Sequence, residues 1–311
     1  MSGMTDRALL GPQYRTPNLR ECLEGMAVAG PLVAVTAGWQ DREGEIEELR
    51  AHVGRPVTDL GLYVRAEHVY AEDPPLAAAA RERQERLQEL QDHYRLRLHA
   101  LMAAVEELAP TPDESPARRA ARRGALGDVR RLDRQHLAAT AREHSAFARR
   151  WQHAPRPSLA SHRAALGAAI DAAAGVLVAG GHVAVLLNRL RLFGLGPLIE
   201  RKPLVAWSAG AMALSERVVL FHDRPPQGAS HAEVLEPGLG LVAGVVALPH
   251  AGARLLLNEP ARVQTFARRF APARCLALEH GSLVRWHRGR LAATRDLRRL
   301  SRSGRVVEVG A

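Results

Sequence analysis

LVAWSAGAMAL, residues 204–214, carries one hydroxyl, Ser208, at the point where an apolar run gives way to small, helix-forming residues. The first half has the content of a buried strand and AGAMAL that of a helix. Ala206 and Gly210, two places either side of Ser208, are small enough to let a strand turn sharply into a helix without collision. Such a turn lifts the hydroxyl above the sheet edge and aims the next backbone N–H at a developing oxyanion, with the helix dipole adding to the field. A turn chosen only for packing needs the same small residues, so these five positions by themselves leave both readings open.

The flanking sequence keeps the same rhythm. GVLVAGG (175–181) reads as a strand, a helix follows from about Val183 to Phe193, and PLVAWS (203–208) is the next strand. RVVLF (217–221), VVAL (245–248), RCLAL (274–278) and SLVRW (282–286) read as further strands, with a helix through NEPARVQTFARRF. Upstream, PLVAVTAGW (31–39) runs into the helical pattern QDREGEIEELRAHVG, and GLYV (61–64) reads as a second strand. Strands alternating with helices predict an α/β fold, a mostly parallel sheet with helices on both faces and ligands at the carboxyl ends of the strands.

Residues 76–153 differ, being dense in Arg, Glu, Gln, Ala and Leu. Leu87, Leu90, Tyr94, Leu98, Leu101, Val105 and Leu108 keep a three-four spacing, PTPDESP (110–116) breaks the pattern, and a second helix is expected from about Ala117 to Trp151 with Val129, Leu137 and Phe147 on its apolar side. This stretch reads as a helical hairpin inserted between two parts of an α/β domain, residues 1–75 and 154–311. APRPS (154–158) closes it, and Ser158 is expected to cap the next helix.

At 311 residues and 47% hydrophobic content the chain can bury a large core, which excludes a disordered or fibrous protein. The net charge of +10 is carried by arginine, Lys202 being the sole lysine. Cys22 and Cys275 stand far apart, which fits a reducing compartment and argues against a disulfide framework. The opening residues lack an apolar signal core, and the expected location is cytoplasmic. The histidines lack the short paired spacing of a metal site, so neither metal nor cofactor is assigned.

A serine hydroxyl is a poor nucleophile until a base takes its proton. His250 in GVVALPHAGAR directly follows an apolar strand and is the candidate base, with a loop histidine as the plain alternative. GVLVAGGH, LVAWSAGAM, GLGLVAGVVALPHAGAR and CLALEHGSLV, in this order, resemble the cyanophycinase and aspartyl dipeptidase family of serine peptidases, within the class I glutamine amidotransferase-like superfamily of flavodoxin-like folds. The resemblance covers residues 30–65 and 165–290. It implies Ser208 as nucleophile, His250 as general base and Glu279 as the acid that orients the imidazole, with Asp223 as the alternative acid. It implies an oxyanion hole from the N–H groups of Gly181 and Ala209, and substrate contacts from Arg254, His182 and Trp207. Ala206 stands in place of the family's glycine, Trp207 in place of a small polar residue, and His182 in place of Asn or Asp, which leaves aspartyl preference open.

The expected activity is therefore that of a serine peptidase acting on small peptides, with the insertion as a lid or a homodimer contact. Residues 117–151 also present Arg118, Arg119, Arg122, Arg123, Arg130, Arg131, Arg134, Arg142, Arg149 and Arg150, a basic face without any recognised nucleic-acid motif. The rival expectation is a non-catalytic member of the fold that binds a partner through that face. No membrane or nucleic-acid partner is assigned.

Overall fold

The computed structural model describes residues 5–111, 114–152, 156–223 and 230–310. Its first strand, β1 (Arg7–Leu10), is the run RALL, too short for any alternation to mark it in the sequence. Helix α1 (Leu19–Gly25) leads to β2 (Leu32–Val35), as PLVAVTAGW predicted. A 3-10 segment (Ala37–Arg42) and helix α2 (Glu47–Val53) follow, and Gly54 ends α2 in the left-handed conformation. The strand expected at GLYV lies earlier, as β3 (Val57–Asp59), and Leu62 already begins helix α3 (Leu62–Glu72). Glu43 explains the difference. Its carboxylate accepts from the N–H groups of Tyr63 (2.7 Å) and Val64 (2.9 Å), donors that the first turn of a helix leaves without partners.

The inserted hairpin is present as α4 (Pro74–Glu107) and α5 (Pro116–Phe147). Each starts with proline, and each is capped by the residue before it: Asp73 accepts from Leu76 N–H (3.1 Å) and Ser115 from Arg118 N–H (3.2 Å). The helix expected to run to Trp151 stays α-helical to Phe147 and finishes as a π turn (Ala148–Gln152). Ser158 does not cap α6 (Pro157–Ala172); its hydroxyl donates to Asp73 (3.0 Å), across the base of the hairpin. Of the APRPS segment, residues 154 and 155 lie outside the described residues.

The second half supplies β4 (Gly175–Val178), α7 (Val183–Leu192), the short α8 (Gly196–Ile199), β5 (Leu204–Trp207) and α9 (Ala209–Leu214). Next come β6 (Arg217–Leu220), β7 (Glu233–Pro237), β8 (Val245–Pro249), α10 (Ala251–Arg254) and α11 (Pro260–Arg269). β9 (Arg274–Leu278), β10 (Leu283–His287), β11 (Arg290–Arg295), β12 (Arg298–Leu300) and β13 (Val306–Glu308) complete the described chain. The main sheet has seven strands in the order β11-β10-β1-β5-β4-β2-β3, parallel from β1 to β3 and antiparallel at β10 and β11.

The expected sheet is thus mostly parallel, but the later strands leave it. β8 and β9 pair in parallel within a second sheet, β13-β12-β9-β8, and β6 pairs only with β7. Alternate residues of the main strands serve two cores, which is why these strands read as continuous apolar runs. Leu9, Val33, Val176, Val178, Leu204 and Ala206 enter one cluster; Leu10, Leu32, Ala34, Leu177, Val205 and Trp207 enter the other. Among the described residues no helix is long and apolar enough to cross a membrane.

The hairpin docks on the body through buried polar groups. Arg269 of α11 donates from Nε to Asp133 Oδ2 and from Nη2 to Asp133 Oδ1, both at 2.8 Å, and from Nη1 to the Ala232 carbonyl at 2.7 Å. Tyr94 of α4 donates to Asp133 (2.9 Å) and accepts from Arg269 (2.8 Å) and from the Val234 N–H (3.0 Å). These bonds tie α4, α5, β7 and α11 together.

Candidate active site

Ser208 sits between β5 and α9 with φ 51° and ψ −122°, a backbone conformation that a residue with a side chain adopts only under strain. Its N–H reaches the Leu10 carbonyl (3.4 Å), and its own carbonyl accepts from Met212 in the first turn of α9 (3.2 Å). The small neighbours do what the sequence predicted of them. A Cβ on Gly210 would lie 2.3 Å from the Val178 carbonyl oxygen, so α9 can leave β5 only where that side chain is absent. Trp207 fits because it faces the opposite side of the sheet from Ala206, 6% exposed among the apolar residues of the second core.

Ser208 opens onto a cleft of about 670 Å³ lined by Gly180, Gly181, Trp207, Ala209, His250 and Arg254 among others. Its walls come from the carboxyl ends of β1, β2, β4, β5 and β8, where an open α/β sheet offers its loops to ligands. The Ala209 N–H, at the first position of α9, has no acceptor within the helix, and the Gly181 N–H has none among the described residues. Gly181 (φ 99°) is pressed against the preceding loop: a Cβ there would stand 2.2 Å from the Gly38 oxygen. Gly181→Ala is expected to lower stability by at least ~1–3 kcal/mol and to displace this loop. A thermal melt measures the first effect and the rate of covalent labelling of Ser208 the second; an unchanged melting temperature counts against the strain.

His250 follows β8 in the left-handed conformation (φ 56°, ψ 35°), its N–H bonded to the Leu278 carbonyl at 3.1 Å. It therefore comes from the second sheet, and it shares the cleft because α9 packs against β8. Burial holds its pKa below the usual histidine value, helped by the charge of Arg254 and by His280, while Glu279 opposes the shift. The rings of Tyr14 and His280 stand 6.0 Å and 5.6 Å from that of His250.

Among the described residues no hydrogen bond joins His250 to Ser208 or to a carboxylate. The Glu279 carboxylate accepts from the Gly252 N–H (2.6 Å) in the turn that follows His250. The Asp223 carboxylate accepts from the Leu256 N–H (2.8 Å) and faces Arg262 (3.5 Å), on the wall of a neighbouring cavity. His182 is not in the cleft wall. Its Nδ1 accepts from Val185 N–H (3.3 Å) and caps α7. No residue of α4 or α5 lines the cleft.

Tyr14 and Trp39 are two of the cleft residues that went unrecognised in the sequence. Tyr14 lies in the loop after β1 and was hidden with that strand. Trp39 sits in the 3-10 segment after β2, in a loop held by Asp59, which accepts from the Thr36 hydroxyl (2.5 Å) and the Gly44 N–H (3.2 Å). Gln40 in this loop shares the conformation of Ser208 (φ 58°, ψ −124°). A tryptophan directly after a strand and a small-residue turn was the available signal. No group of three or more His, Cys, Asp or Glu among the described residues is placed to hold a metal ion.

No protein-family model matches the chain, and no curated protein is similar to it. Among solved structures, a peptidase from an acI-B1 Actinobacterium is similar at 13% identity and a TM-score of 0.46, over 99% of this chain and 98% of that one. A likeness that distant assigns no chemistry to the residues above.

Proposed function

We propose that the protein is a serine hydrolase that cleaves small peptides through an acyl-enzyme on Ser208. The observation that carries this reading is the strained backbone at Ser208, at a strand-to-helix turn that opens on a cleft shared with a histidine and two free N–H groups. His250 takes the proton as Ser208 Oγ attacks the substrate carbonyl. The N–H groups of Ala209 and Gly181 stabilise the oxyanion, and His250 returns the proton to the leaving amine. Water, activated by the same histidine, then releases the acid. Arg254, exposed at the cleft rim, supplies a planar fork for a substrate carboxylate.

The rival, a non-catalytic protein of this fold, draws on one observation: neither Glu279 nor Asp223 hydrogen-bonds to the His250 ring. Catalytic contacts are often long until substrate binds, so a Ser208–His250 pair with Glu279 acting through its field remains the better reading. A fluorophosphonate probe decides between them. The catalytic reading requires a single adduct mapped to Ser208; absence of any adduct favours the rival.

The general base works as neutral imidazole, and a lowered pKa keeps it neutral to lower pH. The acid limb of the labelling rate should thus fall below the ordinary histidine value of about 6.5. Arg254→Gln removes a contribution that lowers the pKa and should move the limb up; Glu279→Gln removes one that raises it and should move the limb down. Labelling rate against pH measures both, and shifts of the opposite sign reject His250 as the base.

A further inference from the structure

Between α4, α5 and α7, away from Ser208, lies a further cavity of about 400 Å³. The helical periodicity expects Leu87 and Leu90 on the buried stripe of α4, yet both are only half-buried, and Arg83 and Gln91 are buried instead. Arg83 is 2% exposed and its Nε has no partner; its guanidinium lies over the Phe147 ring at 4.1 Å, and no carboxylate pairs with it among the described residues. Burial pushes its pKa down. Glu236, the carboxylate nearest in charge, is already held by Arg191 and by His144.

A buried charge without a partner costs several kcal/mol, and folds normally avoid it. Of the three guanidiniums in the wall, Arg95 pairs with Asp92 (3.4 Å) and with Glu233 (2.7 Å) and Arg191 pairs with Glu236, which leaves Arg83 without a carboxylate among the described residues. Two further buried polar atoms in the same wall, Gln91 Oε1 and His144 Nδ1, also have no partner. Thr140 and Asn188 add neutral polar groups. Arg83 is neither exposed nor paired with a carboxylate among the described residues; the face of the Phe147 ring is its neighbour instead.

We propose that this cavity binds a small, polar, singly charged carboxylate, whose charge balances Arg83 and whose remaining polar groups meet Gln91 and His144. The planar fork of arginine matches a carboxylate through two parallel hydrogen bonds. The site lies between the insertion and the body, so it requires the hairpin that the rest of the fold does not need for its sheet.

The test uses the full chain and does not depend on hydrolysis. Thermal melts are recorded with sodium formate, acetate and gluconate, against sodium chloride at matched ionic strength and sorbitol as a neutral polyol. At least one carboxylate is expected to raise the melting temperature saturably above both controls, because a ligand that binds only the folded state stabilises it. Arg83→Met should abolish the rise, and Arg83→Lys, which keeps the charge and loses the fork, should weaken the apparent affinity about tenfold. The proposal is overturned if none of the three carboxylates exceeds the controls, or if the rise persists unchanged in Arg83→Met. Should Arg83→Met fail to fold, Arg83→Lys carries the same decision.

Discussion

Ser208→Ala should lose its covalent adduct with a fluorophosphonate and lower peptide hydrolysis by at least about a thousand-fold, while folding as the parent does. The expectation of intact folding has a structural basis. Ser208 is half-buried, its side chain makes no hydrogen bond among the described residues, and alanine is accommodated wherever the serine Cβ already sits. The strained turn is held by neighbours that the substitution leaves alone: Gly210 against β4, Gly180 beneath the Ser208 Cβ, and the Ser208 N–H on the Leu10 carbonyl. Loss of labelling with an unchanged melting temperature therefore isolates the hydroxyl as the reacting group. Labelling of Ser208→Ala equal to that of the parent places the nucleophile elsewhere and ends the proposed mechanism.

Asp133→Ala is expected to destabilise the protein by about 3–5 kcal/mol, measured by denaturant unfolding. The side chains of Arg269 and Asp133 are 3% and 4% exposed, and the bidentate pair is the charged centre of the contact between hairpin and body. Removing the carboxylate leaves a guanidinium buried with the Ala232 carbonyl and the Tyr94 hydroxyl as its remaining acceptors. Replacing both members, Asp133→Leu with Arg269→Met, should recover much of the loss, because the cost arises from the orphaned charge more than from the missing attraction. A double variant as unstable as Asp133→Ala alone points instead to cavity and packing effects. Tyr94 depends on the same network, so its substitution will not add independently to that of Asp133.

The strands and helices beside Ser208 were legible because both periods were strong there: GVLV, LVAW and AGAMAL each appear as read. The hairpin was legible for the same reason, with proline and capping residues marking both starts. β1 was missed because the four residues of RALL carry no period, and the cleft wall behind Tyr14 was missed with it. GLYV was misread because its helix depends on a carboxylate some twenty residues upstream, a contact that no local propensity records.

By itself the sequence determined which residues stand at strand ends and which of them are chemically able to react. Tertiary structure decided which of those ends meet. Ser208 and His250 come from two different sheets and share a cleft because α9 rests on β8, whereas His182, at an equally suggestive position, turns its ring back to cap a helix. It also decided that Arg83 and Asp133 are buried, on helices whose inner faces the apolar spacing assigned to other residues. The physical reason is the same in each case: period and propensity act over a few neighbouring residues, while the pairing of a charge or the convergence of two loops depends on contacts between segments far apart in the chain.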